Sequence, residues 1–276
     1  MDKKIKKILI KTKRQVFSEI SGNNPSIFKG EGFNFIELRE YLPGDDVKKI
    51  DWLISAKLQK PYVKVYQEER ELNIIVAFML NGSMYFGSVE FKHIIAAAAG
   101  AIIGFSAIKN QDSFSYYIFA DKLYKSIKST KNINAIQEMI ENIANFNPLG
   151  KSDNFKDLTK RLFKIKRKSL IFIISDFLED FDFKLLSKKH EVIAIIIRDR
   201  LEEEPKEFGF VNLIDPQSGD SAVLDMDSYT KNEYKKEIKR KDHFMYEHFK
   251  KNRIRFTKIY TDEEPFIKLL KLFGRR

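Results

Sequence analysis

Two polar loops follow predicted strands and could together form a binding corner. Asn81 and Ser83 lie after an apolar run at 72–80, and Asp176 follows a second apolar run at 170–175. In open α/β sheets, ligands bind at the carboxyl ends of strands, near the point where the strand order reverses. If the two strands are neighbours, these side chains converge, and their hydroxyl, amide and carboxylate oxygens could bind a ligand.

A structural interpretation of the same residues is favoured over a binding role. In this interpretation Ser83 and Asn81 bond the backbone of their own loop, while Asp176 caps the following helix or pairs with a lysine. Both interpretations predict that the residues lie at the sheet edge. They differ in whether the polar atoms are available to a ligand.

The sequence offers no fingerprint of a known catalytic centre, and we predict that the protein is not an enzyme. It contains no cysteine, which excludes thiolate metal sites and cysteine nucleophiles. Its four histidines are dispersed, and a G-x-S-x-G nucleophile elbow is missing. Gly150, Lys151 and Ser152 look like the end of a phosphate-binding loop, but Asn145 stands where that motif needs its first glycine.

The elements that position these loops alternate between strand and helix along most of the chain. The predicted strands are 72–80, 114–119, 170–175, 191–197 and 254–260, with helices at 3–20, 88–109, 132–144, 153–166, 182–189, 227–252 and 263–273. Two shorter strands, at 210–214 and 221–225, flank a turn at 215–220. This alternation predicts an α/β fold with a doubly wound, mostly parallel sheet. We divide the chain into an N-terminal segment, 1–70, and an α/β domain, 71–276.

The chain is basic, with a formal net charge of +11 and lysines in every segment. This balance fits a solvated basic surface, because a nucleic-acid motif with interleaved aromatic residues is missing and no specific nucleic acid is predicted. The apolar stretch 94–108 is shorter than the roughly 20 residues that span a bilayer. We therefore expect a helix buried against the sheet, no transmembrane segment, and a cytoplasmic protein for which peripheral membrane contact stays open.

A dense set of charged and turn-forming residues lies between 28 and 72. It contains the sequence R-E-Y-L-P-G-D-D and then I-D-W. Locally, Pro43 and Gly44 predict a tight turn, Asp45 or Asp46 a helix cap, and Arg39 an ion pair with a carboxylate. The whole segment resembles the signature of the DUF58 family, and the positions that match are Arg39, Glu40, Tyr41, Pro43, Gly44, Asp45, Asp46, Asp51 and Trp52. The resemblance extends over about 25–273.

The resemblance implies a von Willebrand factor A-like, Rossmann-like domain behind a family-specific N-terminal segment. Such domains hold Mg²⁺ in an adhesion site built from D-x-S-x-S, a later Thr and a later Asp. In this sequence the corresponding residues are Met79, Asn81, Ser83, Ser152 and Asp176. Because a thioether is a poor ligand for Mg²⁺, we expect a degenerate site without a firmly bound metal, and at most a weak Mg²⁺ site at Ser83, Ser152 and Asp176.

The resemblance also implies a partner, since proteins of this bacterial family tend to accompany MoxR-type AAA+ ATPases. We therefore expect a non-enzymatic interaction or adaptor protein that acts in the assembly or maturation of other proteins. Its docking surface is expected to include Asp176 and the segment 39–52. The rival hypothesis is a basic protein that binds nucleic acid or a membrane surface through Lys3, Lys4, Lys6, Lys7 and Lys11.

Overall fold

The computed structural model describes residues 3–18, 37–45, 47, 50–65, 71–206 and 209–274. The chain forms two compact units. One unit comprises residues 1–28 together with 72–276, and the other comprises 29–71. The structure thus differs from the division at residue 70, because the N-terminal helix belongs with the α/β unit.

The elements follow one another as the apolar pattern predicts. They are α1 (Lys3–Ser18), β1 (Glu37–Glu40), α2 (Trp52–Leu58), β2 (Tyr62–Val65), β3 (Asn73–Met79), a short 3-10 helix (Gly82–Tyr85), α3 (Lys92–Lys109), β4 (Ser113–Phe119), β5 (Leu123–Ser126), α4 (Asn134–Ala144), α5 (Phe155–Phe163), β6 (Leu170–Ser175), α6 (Lys184–Lys189), β7 (Glu191–Arg198), α7 (Arg200–Glu203), β8 (Gly209–Ile214), β9 (Ser221–Met226), α8 (Ser228–Lys251), β10 (Arg255–Tyr260) and α9 (Pro265–Gly274). Of those from β3 onward, the sequence analysis missed β5, α7 and the 3-10 helix.

The central sheet has six strands in the order β10-β7-β6-β3-β4-β5. Every neighbouring pair is parallel except β4 and β5, which are antiparallel. After β3 the chain adds strands on one side, and from β6 onward it adds them on the other. The order therefore reverses between β3 and β6, which is where ligands bind in such sheets. The predicted mostly parallel α/β sheet is confirmed.

Both faces of the sheet are covered, which explains why β3 is a continuous apolar run. Ile74, Val76 and Phe78 point into one core, and Ile75 and Ala77 into the other. The first core is closed by α1, α3, α4 and α9. The second is closed by α5, α6 and α8.

Helix α3 is buried along most of its length. On the sheet side a Cβ at Gly100 would lie 2.4 Å from the ring of Phe78, so only glycine allows this approach. On the other side α1 packs across α3, with Ile5 and Val16 buried. Among the described helices α3 passes a length and composition test for membrane crossing. Its burial is that of a core helix, as the sequence analysis expected for 94–108.

The strands β8 and β9 form a separate antiparallel hairpin. Its turn contains Asp215, whose carboxylate accepts a hydrogen bond from the backbone N–H of Gln217 at 2.8 Å. Gly219 adopts a φ of +80°, which a glycine permits without strain. Most side chains of the hairpin are exposed to solvent.

Candidate functional site

The polar corner lies between the carboxyl ends of β3 and β6. The Ser83 hydroxyl donates to the Asp176 carboxylate and lies 2.8 Å from Oδ1 of Asn81. A hydroxyl has one proton, and the charged carboxylate is the stronger acceptor. The structure therefore brings together three of the four residues that the sequence predicts at this corner. We call Asn81, Ser83 and Asp176, with the residues that contact them, the switch-point corner.

The loop before α5 contributes a different residue from the predicted one. Ser152 is exposed, whereas the carboxylate of Asp153 accepts a hydrogen bond from Nδ2 of Asn81 at 3.0 Å. Burial, together with the negative charges of Asp176 and Glu179, raises the pKa of Asp153 to about 8. At neutral pH this carboxyl is mostly protonated, so it adds little negative charge to the corner.

A lysine that the sequence analysis overlooked occupies the centre of the corner. Lys92, the first residue of α3, is completely buried. Its Nζ lies 2.9 Å from Oδ2 of Asp176 and also donates to the carboxylate of Glu202. Burial by itself lowers the pKa of Lys92, but the two carboxylates outweigh burial and hold that pKa above its ordinary value. The corner therefore contains its own permanent cation.

The two carboxylates around this lysine differ in their ionisation. Burial favours the neutral form of Asp176, yet the positive charges of Lys92 and Arg198 keep its pKa below the ordinary value. The pKa of Glu202 is raised, first by burial, with the charge of Asp176 adding to the effect. The firmly ionised pair is thus Lys92 with Asp176, while Glu202 accepts a second hydrogen bond from the ammonium.

The donor set of the corner does not fit Mg²⁺. The residue expected to supply the first carboxylate is Met79, whose thioether is fully buried at the end of β3. The carboxylate of Asp176 already binds an ammonium, and Ser152 faces solvent. Within the described residues, no group of three acidic or histidine side chains could hold a metal ion. We therefore derive no metal chemistry for this corner.

Buried charges continue from the corner along the same edge of the sheet. Arg198, the last residue of β7, is fully buried and lies 2.8 Å from the carboxylate of Asp242 in α8. Lys258 of β10 lies 2.8 Å from the other oxygen of Asp242. Breaking such buried pairs from one side is costly because it leaves an uncompensated charge. This network fixes α8 and β10 relative to the corner.

The tip of the β8–β9 hairpin lies directly on the corner loop. The carbonyl of Pro216 accepts a hydrogen bond from the N–H of Gly150 at 2.9 Å, and the N–H of Gly82 donates to the carbonyl of Lys151 at 2.8 Å. A Cβ on Gly82 would lie only 2.2 Å from the Pro216 oxygen. The hairpin tip therefore covers part of the corner at backbone contact distance.

The residues of the 37–65 segment form a small unit of their own. Strands β1 and β2 pair in antiparallel fashion. Arg39 binds Asp45 through two parallel hydrogen bonds of 2.6 and 2.7 Å, and Asp45 also accepts from the N–H of Leu42 at 2.9 Å. Gly44 has a φ of +109°, in the left-handed region. Pro43 and Gly44 thus make the predicted turn, and Asp45 closes it by binding Arg39.

The remaining polar residues of this segment also act locally. Asp51, rather than Asp45, caps α2 by accepting from the N–H groups of the second and third following residues. The N–H of Tyr41 donates to the carbonyl of Pro61 at 2.8 Å, and Glu40 binds Lys60 at 2.8 Å. Asp46 lies outside the described residues. Trp52 stands apart, because 68% of its surface is exposed.

A comparison with sequence models of known protein families agrees with the resemblance that the signature segment shows. The sequence model of the family described as "Protein of unknown function DUF58" matches residues 37–244, most of the chain. The chain belongs to the DUF58 family. Curated relatives include uncharacterized proteins of Mycobacterium tuberculosis and Mycobacterium bovis, each 26% identical over 216 residues, which is 75% of this chain and 68% of theirs.

Solved structures of similar shape have low sequence identity to this DUF58 protein. The conserved hypothetical protein BatB from Bacteroides thetaiotaomicron has a TM-score of 0.47 and 10% identity, covering 74% of this chain and 97% of its own. An aerotolerance-related membrane protein from Bacteroides fragilis has a TM-score of 0.45 and 9% identity, covering 74% of this chain and 100% of its own. At these TM-scores neither likeness bears on function.

Two signals in this DUF58 sequence indicate the buried charged residues Lys92 and Asp199, which were not among the predicted site residues. Lys92 begins α3, whose first turn has no acidic residue, so its charge lies at the unfavourable end of the helix dipole. A lysine in that position needs another stabilising contact. Asp199, which is fully buried and accepts a hydrogen bond from the N–H of Ser88 at 2.7 Å, follows β7 directly, so the rule that polar groups gather at the carboxyl ends of strands applies to it as it does to Asp176.

Proposed function

We propose that this DUF58 protein is a non-enzymatic interaction or adaptor protein with a von Willebrand factor A-like domain and a degenerate adhesion site. Its proposed partner is a MoxR-type AAA+ ATPase, with which it acts in the assembly or maturation of other proteins. One observation carries the proposal. The switch-point corner is closed internally by Lys92, while Phe210, Ile214 and Val223 of the β8–β9 hairpin, whose tip contacts the corner loop, stay exposed.

The arrangement of the sheet supports the von Willebrand factor A-like part of this proposal. The order reverses between β3 and β6, and the edge strand β5 is the one that runs antiparallel. Ser83 and Asp176 lie at the reversal, where an adhesion site of this kind would hold its metal. In place of the metal, the ammonium of Lys92 lies against Asp176.

The internal ion pair also supports a non-enzymatic function. The Asp176 carboxylate is fully buried and is bound by both Lys92 and Ser83. Such a carboxylate is not accessible to a substrate. It is kept ionised by the charge of Lys92, which is a permanent part of the protein. The expectation that Asp176 itself contacts a partner therefore changes, since its burial makes it a residue that organises the corner.

The surface next to the corner is suited to protein contacts. Phe210 and Ile214 of β8 lie on the same face of the hairpin as Val223 of β9, because residue 212 between them pairs directly with Val223. Their exposed fractions are 79%, 63% and 70%. Neighbouring apolar side chains that stay exposed are typical of protein-binding surfaces. We call these three residues the hairpin face and propose that the partner docks there.

The proposal includes a cytoplasmic location. An AAA+ partner needs ATP, which is supplied in the cytoplasm. The cysteine-free composition is compatible with a reducing compartment.

Co-purification with a MoxR-type AAA+ ATPase from the same organism tests this function. Wild-type protein should retain the ATPase on an affinity resin, and the double variant Phe210→Asp/Val223→Asp should lose most of it. The matched control is Leu185→Asp, on α6, where an equally exposed leucine lies outside the hairpin face. Failure of the wild type to retain the ATPase would reject the partnership, and equal retention by the double variant would reject the hairpin face.

A further inference from the structure

Helix α1 has two faces of different character. Its inner face is buried against α3, with Ile5, Thr12 and Val16 almost inaccessible to solvent. Its sequence, KKIKKILIKTKRQVFS, contains seven basic residues and no acidic one. The exposed residues Lys6, Ile10 and Lys13 recur at helical spacing and lie on the side opposite the core. We call four exposed residues of this helix the outer face: Lys6, Lys7, Ile10 and Lys13.

The fold does not account for the charge of the outer face. The packing of α1 comes from its inner face and from the ion pair between Lys11 and Glu264, which directly precedes α9. Lys7 and Lys11 stand at positions i and i+4, where like charges on a helix repel one another. A helix that needed only to cover α3 would not concentrate cations on its solvent side.

We propose that the outer face of α1 docks the protein on the surface of an anionic lipid bilayer. Clusters of basic residues on an amphipathic helix bind anionic lipid headgroups through their summed charge. The helix is already folded and packed on the core, so it does not have to be ordered when it binds. This docking is independent of the adaptor function and uses a different part of the molecule.

The position of Ile10 favours a bilayer over a nucleic acid. This side chain is 53% exposed and lies between Lys6 and Lys13, at the middle of the basic stripe. At a membrane surface an apolar side chain among cations enters the boundary between headgroups and acyl chains. Against a phosphate backbone it would be an apolar interruption, since nucleic-acid sites combine positive charge with hydrogen-bond donors and stacking aromatic rings.

Vesicle sedimentation with matched variants tests the proposal. The triple variant Lys6→Gln/Lys7→Gln/Lys13→Gln removes three positive charges and keeps good helix formers. The control, Lys156→Gln/Lys160→Gln/Lys164→Gln, removes the same charge from exposed lysines on and just after α5, which packs on the opposite face of the sheet. Thermal unfolding of each variant verifies that it is folded.

We expect wild-type protein to sediment with phosphatidylglycerol-containing vesicles, to bind pure phosphatidylcholine far less, and to dissociate as salt is raised. Each cation near an anionic surface contributes about fivefold to partitioning, so the α1 variant should bind about 100-fold more weakly, and the control should fall severalfold at most. Ile10→Ser should also weaken vesicle binding severalfold. Equal loss in both triple variants, no effect of Ile10→Ser, or binding of duplex DNA or RNA without binding of vesicles would overturn the proposal.

Discussion

Replacing Lys92 by methionine should destabilise this protein more than the matched change Lys109→Met. The substitution keeps an unbranched side chain in α3 but removes the cation between two carboxylates, one of which, Asp176, is completely buried. Removing one partner of a buried ion pair costs about 3–5 kcal/mol. Arg198 still provides a positive charge near Asp176, so we expect a loss near the lower end, about 3 kcal/mol. For a chain of this size that is a decrease of roughly 10 °C in Tm.

The pH dependence of this loss has a definite sign. In the wild type the folded pKa of Asp176 lies below its unfolded value, so its stabilising contribution is present above the unfolded pKa and is lost as pH falls. Without Lys92 the folded pKa of Asp176 should rise above its unfolded value and that of Glu202, already raised by burial, should rise further, and the resulting destabilisation disappears when the two groups are protonated. Both effects reduce the difference between variant and wild type as pH falls from about 7 toward about 4.

Urea denaturation followed by circular dichroism at neutral and acidic pH measures the effect. The double variant Lys92→Met/Asp176→Asn should recover part of the loss, because it removes the buried charge along with its partner. Lys109→Met, at the other end of α3, is the control; its Nζ contacts the carbonyl of Val16 at 3.3 Å instead of a carboxylate. Equal stability of Lys92→Met and Lys109→Met at neutral pH, or a deficit of Lys92→Met that does not shrink on acidification, would rule out this role for the buried ion pair.

Three further predictions concern the same corner. Lys92→Ala should make Tm increase with added Mg²⁺ or Ca²⁺, because Asp176 and Glu202 then lack a cation; a Tm that responds no more than that of the wild type would contradict this. Asp153→Asn should be more stable than the wild type at pH 9 and equally stable at pH 4, because a folded pKa of about 8 lies above the unfolded value and the ionised form is destabilised as pH rises; a difference that does not grow with pH would count against it. Gly82→Ala should lower the local stability of β8 and β9 by about 1–3 kcal/mol, because its Cβ would overlap the Pro216 carbonyl, and amide hydrogen exchange in these strands should become faster. Ser152→Ala is the control, and unchanged exchange in Gly82→Ala would show that the hairpin tip does not rest on this glycine.

The sheet could be predicted because its inner strands are buried on both faces. Runs such as 72–80 and 170–175 read as strands without any alternation to interpret. Strand β5 was missed because its four residues, LYKS, lie mostly exposed at the edge of the sheet and carry a mixed pattern. Helix α7 has only four residues, too few for a helical period to show.

The candidate site was predictable only where the sequence position implies the location. Asn81, Ser83 and Asp176 follow strands, and the rule that ligand-binding residues lie at the carboxyl ends of parallel strands predicts their location. Lys92 begins the long apolar helix α3 and pairs with a residue 84 positions away. A charged residue at the boundary of an apolar segment normally lies in solvent, and only the packing of α3 against the sheet turns this one inward.

The charges of the residues at positions 79 and 92 can be considered together. On the alignment that the family resemblance implies, an adhesion site would hold a carboxylate at position 79 and a divalent cation beside Asp176. Replacing the carboxylate by a thioether removes one negative charge, and replacing the divalent cation by an ammonium removes one positive charge. The total charge of the corner is then unchanged, and the positive charges of Lys92 and Arg198 keep Asp176 ionised at full burial. An aspartate at position 79 would lie next to apolar side chains such as Ile75, Ala77 and Phe119 without a matching charge of its own. A firmly bound metal ion would therefore require both positions to change together, since Lys92→Ala alone leaves two carboxylates that bind a cation only weakly, and Met79→Asp alone adds a buried charge without a partner.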